Sequence, residues 1–313
     1  MAESREERFI GMMRALACDP AARALGDDAA VVDFGSETLV ITHDMMVEGV
    51  HWLPGQDEAD IAWKLVATNL SDLAAKGAQP IGVLLGYTLG PDDARFAQGL
   101  GEALAAFAVP LLGGDTVSAG HGARSHGLTA LGRATHRPVP GRNGARVGDR
   151  VWITGPVGAA MLGFEVLGGA IRTETVPDAT TRAFRRPVPR LAEGIALAPL
   201  VGAMMDVSDG LLIDAQRMAR ASGVTLALQS AAVPIAESLQ ADAAAEDRRH
   251  AAMTWGDDYE LLFTLPPDIA PPCLAHAIGR VEEYRGHSLL LDGAAPQGRL
   301  GYWHDEPGIA DPG

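Results

Sequence analysis

Apolar residues recur at helical spacing in some stretches of the chain and form short continuous runs in others. The clearest helical stretch runs from Ala59 to Lys76, where apolar residues line one face and Gly77 and Pro80 follow as stop signals. The same spacing predicts helices over residues 6–17, 92–107, 190–197 and 209–221, and another that begins near Gly158. Short apolar runs predict strands at residues 29–34, 38–42, 81–89, 109–114, 128–134, 151–155, 225–229, 259–265 and 288–291. Helices and strands are therefore expected along the whole chain.

One segment near the middle has no apolar periodicity. Residues 136–150 are rich in Pro, Gly and Arg, which is typical of a connection between domains. At roughly 150 residues per domain, 313 residues suggest two domains. We therefore expect an N-terminal domain over 1–137, a junction over 138–147 and a C-terminal domain over 148–313, in which residues 305–313 form a disordered tail.

The charge balance argues against polyanionic partners. Acidic residues outnumber basic ones by 40 to 25, which gives a net charge of −15. Nucleic acids and anionic membrane surfaces both require a cationic surface, so neither is an expected partner. No apolar run approaches the ~18 residues of a membrane span, and the acidic N-terminus lacks the apolar core of a signal peptide. Cys18 and Cys273 form no CxxC motif, which fits a reducing compartment, so we expect a cytoplasmic protein.

Aspartate follows an apolar run at several points in the chain. A single Asp often caps a helix or makes a turn, but the repetition of this pattern favours a shared site. Clustered carboxylates are hard oxygen ligands of the kind that Mg²⁺ prefers. The residues concerned are Asp27 and Asp28 in LGDD, Asp44 in VITHD, Asp115 in LLGGD, and Asp206 and Asp209 in MMDVSD.

Asp72 supports the same interpretation. It lies near the C-terminal end of the predicted helix, where a carboxylate opposes the helix dipole and is either solvated or held by a cation. Asn69 lies one turn away and is positioned to share such a cation. We therefore include Asp72 in the predicted metal site.

The chain lacks the common phosphate-binding motifs. Neither GxxxxGK[ST] nor GxGxxG occurs, so a nucleotide would have to be bound by metal ions, arginines and backbone amides. The segment LLGGDT, residues 111–116, suits that role, because its glycines allow close approach of the backbone while Asp115 binds a metal. His51 follows Asp44 by seven residues and is a candidate for the same pocket, although a His beside Trp52 is more often a packing or surface residue.

Taken together, these motifs resemble a known family. GDDAAVV, THDMMVEGVHW, NLSDLAAKGAQP, LLGGDT, RNGARVGD, DVSDGL and GDDYELLF occur in the order seen in the thiamine-monophosphate kinase family, from about Gly26 to Tyr302. NLSDLAA and GGDT are typical of the ATP-binding superfamily that also includes aminoimidazole ribonucleotide synthetase and selenophosphate synthetase. The spacing of Asp44 and His51, together with the DYEL motif, points to the kinase.

The resemblance implies an α+β fold of two domains. In the family, the N-terminal sheet pairs with that of a second subunit in a homodimer, and the C-terminal domain covers the nucleotide. The activity implied is the ATP-dependent phosphorylation of thiamine monophosphate to thiamine diphosphate with several Mg²⁺ ions. The acceptor phosphate is already ionised at neutral pH, so no dedicated catalytic acid or base is expected.

The resemblance also assigns roles to individual residues. The implied Mg²⁺ ligands are Asp27, Thr42, Asp44, Asp72, Asp115, Asp206 and Asp209, with His43 contributing through its backbone. The implied ATP contacts are Gly114, Asp115, Arg142 and Ser208, and the implied thiamine contacts are His51, Asp257 and Tyr302. Two segments depart from the family pattern. Thr42-His43-Asp44 stands where the family usually has Ser-Thr-Asp, and Asp257 replaces a Glu.

Two alternatives remain open at the level of the sequence. One is another synthetase of the same superfamily, such as selenophosphate synthetase, which generally carries a reactive Cys in a glycine-rich context that Cys18 lacks. The other is a non-catalytic nucleotide or metal sensor, because a fold does not fix a function.

Overall fold

The chain folds into two β-sheets with helices packed against them. The computed structural model describes residues 5–14, 16–120, 122–170, 178–240 and 245–303, so the predicted tail over 305–313 lies outside the described residues. The first sheet is built from residues 30–134 and the second from residues 150–291. Within the described ranges, no helix is long and apolar enough to cross a membrane.

The first sheet has five strands in the order β1-β2-β5-β3-β4. Strands β3 and β4 run parallel, and the other neighbouring pairs are antiparallel. Two long helices, α2 and α3, pack against each other beside it. The elements in chain order are α1 Arg5–Arg14, a 3₁₀ turn Pro20–Leu25, β1 Ala30–Phe34, β2 Glu37–Val47, α2 Glu58–Ala75, β3 Ala78–Thr88, α3 Asp93–Ala106, β4 Leu111–Val117 and β5 Ser125–Ala134.

Helix α2 covers one face of this sheet. Every residue of α2 except Trp63 is buried. Along β2, Val40, Thr42 and Met46 are buried whereas His43 and Met45 are exposed, because successive side chains of a strand point to opposite faces. The face away from α2 is therefore open, and strand β4 at the sheet edge is exposed along its whole length.

The second sheet has six strands in the order β11-β8-β10-β6-β9-β7. Helices α4, α7 and α9 contribute to the apolar core around it. The elements are β6 Arg150–Ile153, α4 Ala159–Leu167, α5 Asp178–Arg185, α6 Leu191–Leu197, β7 Met204–Asp206, α7 Leu211–Ser222, β8 Thr225–Leu228, a 3₁₀ turn Ser230–Ala232, α8 Glu237–Gln240, α9 Ala245–Trp255, β9 Leu261–Leu265, β10 His276–Glu282 and β11 Leu289–Leu291.

The C-terminal end of α2 packs closely against the second half of the chain. A Cβ atom on Gly194 of α6 would lie 2.0 Å from the Ala74 carbonyl oxygen, so only glycine permits this contact. Gly77, which follows α2 with φ +56°, has the same role, because its Cβ would lie 2.3 Å from that of Ala198. An apolar cluster that includes Ala74, Ala75, Leu197, Met204 and Phe263 seals the contact. This packing brings α2 against β7, and both elements carry predicted metal ligands.

The observed elements confirm the predicted α+β class. Each predicted strand is present, but β2 extends to Val47, beyond the predicted 38–42, because Thr42, His43 and Asp44 interrupt the apolar run without ending the strand. Helix α5, helices α8 and α9, and strands β7 and β10 were not predicted. Strand β10 carries a bulge between Ala277 and Gly279, and β7 is only three residues long, so neither has a periodicity that the sequence alone can show.

Candidate active site

Three buried aspartates from distant parts of the chain meet at one point. Asp28 precedes β1, Asp72 lies on α2, and Asp206 ends β7. One carboxylate oxygen from each lies within 4.8 Å of the others. We refer to Asp28, Asp72 and Asp206 as the aspartate cluster. The close packing of α2 on β7 therefore creates a site that neither half of the chain contains alone.

The charges of two cluster members are poorly compensated. Burial raises the pKa of Asp72 well above its ordinary value, and the neighbouring carboxylates of Asp44, Asp206 and Asp28 raise it further. The pKa of Asp206 is likewise raised well above its ordinary value, first by burial and then by the carboxylate of Asp28. A hydroxyl assists each of these aspartates. Thr42 Oγ1 donates to Asp72 Oδ2, and Ser71 Oγ donates to Asp206 Oδ2 over 2.6 Å.

Asp28 differs because two cations face it. Burial alone would raise the pKa of Asp28, but Arg142 and then Lys76 outweigh burial and lower it to about 2. The Lys76 ammonium nitrogen lies 2.7 Å from Asp28 Oδ2, and Arg142 Nη2 donates to Oδ1. Asp28 Oδ2 is buried and, among the described residues, accepts no hydrogen bond of good geometry. The Lys76 ammonium therefore compensates the charge of this oxygen without a well-aligned hydrogen bond.

The aspartate cluster fits a divalent cation. Three carboxylate oxygens lie close enough to share one ion, and carboxylate is a donor that Mg²⁺ prefers. Burial first, and then the neighbouring carboxylates, raise the pKa of Asp72 and of Asp206, and a divalent ion bound here would supply the opposite charge. Asp44 lies close enough to affect the pKa of Asp72, and Asn69 Oδ1 accepts from its backbone N–H over 2.9 Å.

Asp27 contacts the same Lys76 ammonium as Asp28 and also pairs with Arg23. Its Oδ1 accepts from Lys76 Nζ over 2.5 Å, and its Oδ2 accepts from Arg23 Nη1. The resemblance implies Asp27 as a metal ligand, whereas the structure brings Asp28 into the cluster. The assignment of Asp27 as a metal ligand stays a prediction, and Asp28 is a second candidate from the same LGDD motif.

His43 and Asp115 lie apart from the cluster. His43 Nδ1 lies 2.9 Å from Thr129 Oγ1, on the sheet face opposite to Thr42. Asp115 is on β4, which β5 and β3 separate from β2. The strand register places Asp44 opposite Leu128, Leu128 opposite Leu85, and Leu85 opposite Gly114. Three strand spacings of ~4.8 Å therefore separate the backbone at Asp44 from the backbone at Gly114 by ~14 Å, and Asp115 is the residue after Gly114. One chain alone does not bring Asp115 to the cluster.

Gly114 has a packing role in this strand. A Cβ atom at Gly114 would lie 2.0 Å from the Leu85 carbonyl oxygen, so the pairing of β4 with β3 requires glycine there. This requirement is independent of any bound phosphate.

A cavity of about 630 Å³ adjoins the aspartate cluster through Asp44, which lines it. The predicted substrate contacts His51, Asp257 and Tyr302 all line this cavity, as do Ser208 and Asp209. Its apolar wall includes Phe164, Phe184 and Trp255. The cavity therefore combines aromatic surface with anionic groups near the cluster.

Asp257 is held in place by two side chains that the sequence did not single out. Lys64 Nζ donates to Asp257 Oδ2 over 2.7 Å, and the Tyr259 hydroxyl donates to Oδ1 over 2.8 Å. Lys64 also donates to the His51 carbonyl oxygen over 3.0 Å. Asp257 has φ 59°, in the left-handed region that most residues avoid, and its backbone N–H donates to the Ser208 carbonyl. The fixed backbone and the two donors hold the carboxylate at the cavity wall.

Asp209 lies at the same cavity but carries a different partner. Arg217 Nη1 donates to Asp209 Oδ2 and also to Asp214 Oδ1, the latter over 2.8 Å. Asp214 Oδ2 accepts from the Asp209 backbone N–H over 3.1 Å. Arg217 therefore pairs with Asp209 and Asp214 together at one side of the cavity.

The site residues missed from the sequence are mostly cations. Lys64, Lys76 and Arg217 each bind a predicted site aspartate. One sequence signal was available, because Lys64 and Lys76 are the only lysines in a chain with 25 basic residues. Both occur in or directly after the helix that carries Asp72.

Comparison with known proteins identifies both halves of the chain. The AIR synthase related protein N-terminal domain matches residues 26–134, and the corresponding C-terminal domain matches residues 146–290. The thiamine-monophosphate kinase of Caulobacter vibrioides is 39% identical over 306 residues, which cover 91% of this chain and 86% of that protein. The thiamine-monophosphate kinase of Escherichia coli strain K12 is 35% identical over 254 residues, covering 77% and 76% respectively.

Solved structures have the same fold. AaThiL complexed with AMPPCP and TMP has a TM-score of 0.84 at 28% identity and covers 94% of this chain and 96% of that chain. Thiamine monophosphate kinase from Aquifex aeolicus has a TM-score of 0.80 at 27% identity, with 94% and 99% covered. With both domains matched and sequence identity maintained over most of the chain, this protein belongs to the thiamine-monophosphate kinase family of AIR synthase related proteins.

Proposed function

We propose that this protein transfers the γ-phosphoryl group of ATP to thiamine monophosphate, giving thiamine diphosphate and ADP. The observation that carries the proposal is the buried aspartate cluster at the edge of a cavity lined by His51, Asp257 and Tyr302. The similar thiamine-monophosphate kinases, and the structure of AaThiL complexed with AMPPCP and TMP, support the same reaction. They also favour it over the selenophosphate synthetase and non-catalytic alternatives.

The proposed reaction needs no general base. A phosphate oxygen of thiamine monophosphate bonds to the γ-phosphorus of ATP, the bond from that phosphorus to the β–γ bridging oxygen breaks, and ADP leaves with the electron pair. The acceptor oxygen carries no proton at neutral pH, so no proton has to be moved. The residues of the site must instead position two anions close together.

The proposed Mg²⁺ ligands are Asp28, Asp72 and Asp206, with Thr42 and Asp44 beside them. Bound Mg²⁺ would neutralise the phosphates and hold them for in-line transfer. Ser71 and Thr42 fix the carboxylate rotamers of Asp206 and Asp72 in advance of binding. The assignment of Asp27, Asp209 and His43 as ligands stays a prediction of the resemblance.

The proposed substrate pocket recognises a cation and two rings. The Asp257 carboxylate lies at the cavity wall and would face the positively charged thiazolium. The aromatic wall of Phe164, Phe184 and Trp255 offers surface for the rings. Arg142 and Ser208 are the proposed ATP contacts within this chain. Arg142 lies next to Asp28, and Ser208 lies on the cavity.

We further propose a homodimer in which a second copy completes the site. The face of the first sheet away from α2 is open and carries exposed apolar side chains, among them Met45, Leu84 and Leu111. Pairing of two such faces would cover these side chains. It would also offer a route for Gly114 and Asp115 of one copy to reach the cluster of the other, which they do not reach in their own chain.

Two further parts of the proposal concern the location of the reaction and the domain boundaries. Because ATP is the phosphoryl donor, we place the reaction in the cytoplasm. The division into domains at 1–137 and 148–313, with a junction between them, is kept as part of the same proposal.

The proposal is tested by coupled ADP-release assays with ATP. Thiamine monophosphate, thiamine and selenide are compared as acceptors, each with Mg²⁺ and with excess chelator. We expect ADP release only with thiamine monophosphate and only with the metal. Release driven by selenide would favour the synthetase alternative, and the absence of release with every acceptor would favour a sensor.

A further inference from the structure

The chain contains two lysines, and neither is on the surface. Lys64 is 1% exposed and Lys76 is 0% exposed. Lysine is rarely buried without a partner, because removing an ammonium from water is costly. Each lysine is paired with an aspartate at one of the two ends of the proposed site, Lys64 with Asp257 and Lys76 with Asp27 and Asp28.

The surroundings of the Lys76 ammonium resemble those of a bound cation. Its nitrogen lies 2.5 Å from Asp27 Oδ1 and 2.7 Å from Asp28 Oδ2, and it donates to the Met204 carbonyl oxygen over 3.4 Å. Two of these oxygens are anionic and all belong to the hard class that binds divalent ions. The third comes from β7, the strand that ends in Asp206.

Lys76 is also fixed in position by the backbone. It is the C-cap of α2, with its N–H bonded to the carbonyls of Leu73 and Ala74, and Gly77 follows in a left-handed conformation against Ala198. The ammonium is therefore attached to the same helix as Asp72, four residues further along. Its position relative to the aspartate cluster is set by folding and does not depend on the concentration of any ion.

We propose that Lys76 is a permanent internal cation of the aspartate cluster. It supplies positive charge at the Asp27–Asp28 end that a divalent ion would otherwise supply, so the chain binds one divalent ion fewer than it would without the lysine. This inference rests on the proposed metal-dependent function. It concerns the balance of positive and negative charge in the metal site, and it does not depend on the identity of the phosphoryl acceptor.

The test counts Mn²⁺ ions bound by the full-length protein, from the electron paramagnetic resonance signal of free Mn²⁺. Lys76→Ala removes the ammonium and leaves a space bounded by the three oxygens. We expect this variant to bind one more Mn²⁺ per chain than wild type. Lys76→Arg keeps the charge and should bind the same number as wild type. Lys64→Ala is the matched control, because it removes an equally buried lysine of α2 that pairs with an aspartate away from the cluster.

Thermal melts in excess chelator and in Mg²⁺ give a second readout. In chelator, Lys76→Ala should have a lower Tm than wild type, because Asp27 and Asp28 have lost a counter-charge. Adding Mg²⁺ should raise the Tm of Lys76→Ala by more than it raises the Tm of wild type. If Lys76→Ala folds only in Mg²⁺, that also supports the proposal. If it folds in neither condition, the same melts are made with Lys76→Met, which keeps the volume and lacks the charge.

Three results would overturn the proposal. The first is an equal number of Mn²⁺ ions bound by wild type and Lys76→Ala. The second is a rise in the Tm of Lys76→Met with Mg²⁺ that is no larger than that of wild type. The third is an additional Mn²⁺ ion bound by Lys64→Ala, as by Lys76→Ala. Each of these leaves the proposed metal-dependent kinase standing. If wild type binds no Mn²⁺ at all, the metal part of the proposed function fails, and the role of Lys76 fails with it.

Discussion

Ser71 Oγ donates a hydrogen bond to Asp206 Oδ2 over 2.6 Å, and neither residue is more than 4% exposed. The bond joins α2 of the first half of the chain to β7 of the second. It also orients a carboxylate whose charge is otherwise poorly compensated. The two halves of the chain therefore meet through a side chain of the proposed catalytic site.

The first prediction measures this bond by a double-mutant cycle. Ser71→Ala and Asp206→Asn are made singly and together, and the free energy of unfolding is measured by denaturant in Mg²⁺. We expect a coupling of about 1–3 kcal/mol, because the bond is buried and its acceptor is a carboxyl group. If the double variant changes the free energy of unfolding by the sum of the two single changes, to within about 0.5 kcal/mol, the two residues do not interact.

The second prediction concerns Asp72 and Asp115, which lie far apart within one chain. Asp72→Asn and Asp115→Asn should each abolish turnover while the protein stays folded, because each removes a carboxylate proposed to hold a metal ion that neutralises the transferring phosphate. If Asp115 acts in the site of a second copy, the two inactive variants complement each other. After unfolding and refolding a 1:1 mixture, half of the dimers are mixed and each has one intact site, so about a quarter of the wild-type activity should return.

The mixing experiment separates two arrangements of the site. If Asp115 served the site of its own chain, every chain in the mixture would be defective and no activity would return. The control is each variant refolded alone, which should remain inactive. Light scattering before and after mixing checks that the dimer forms.

The third prediction concerns Asp257 at the cavity wall. Asp257→Asn should raise KM for thiamine monophosphate more than it lowers kcat, because we propose that the carboxylate faces the thiazolium and lies away from the transferring phosphoryl group. Asp257→Glu should stay within a few-fold of wild type, since it keeps the charge. An Asn variant with an unchanged KM and a lowered Tm would instead show that Asp257 only orders its turn with Lys64 and Tyr259.

The fourth prediction is a pH dependence that originates away from the aspartate cluster. The His126 ring is stacked on Trp52 and Tyr87, with ring centroids 5.1 and 4.9 Å apart. Burial, together with the charge of Arg124, lowers the pKa of His126 to about 4. In the unfolded chain a histidine takes up a proton near pH 6.5, so below that pH the unfolded state binds more protons than the folded state.

The free energy of unfolding should therefore decrease as the pH falls from about 6.5 towards 4, by at most about 3 kcal/mol from this residue. His126→Gln removes the titrating group, and the difference between the two pH profiles isolates its contribution. We expect the profile of the variant to be flatter across this window. Parallel profiles would show that His126 titrates equally in the folded and unfolded chains.

The sequence was sufficient for most of the fold because its signals are local. Helix α2 has an unbroken apolar face and clear stop signals, and the observed Glu58–Ala75 agrees with the predicted 59–76 to within one residue at each end. Strand β10 and the three-residue β7 escaped prediction, because their pairing is determined by neighbours distant in the chain.

Most residues of the site could be predicted from the sequence, but their arrangement in space could be predicted only in part. The family motifs directed attention to Asp72, Asp206 and the Asp27–Asp28 pair, but the presence of Asp28 in the cluster could be seen only in the structure. The roles of Lys64 and Lys76 were not predictable, because pairing with an aspartate far along the chain leaves no local pattern.

The most direct test of the account follows the γ-phosphate of ATP. ATP labelled with ³²P at the γ position is incubated with the protein, Mg²⁺, and either thiamine monophosphate or thiamine, and the products are separated. The account predicts label in the terminal phosphate of thiamine diphosphate with the first acceptor and no labelled thiamine phosphate with the second, because an alcohol must lose a proton to a base and the proposed mechanism includes none. Labelled thiamine monophosphate formed at a comparable rate, or label released only as inorganic phosphate, would contradict it.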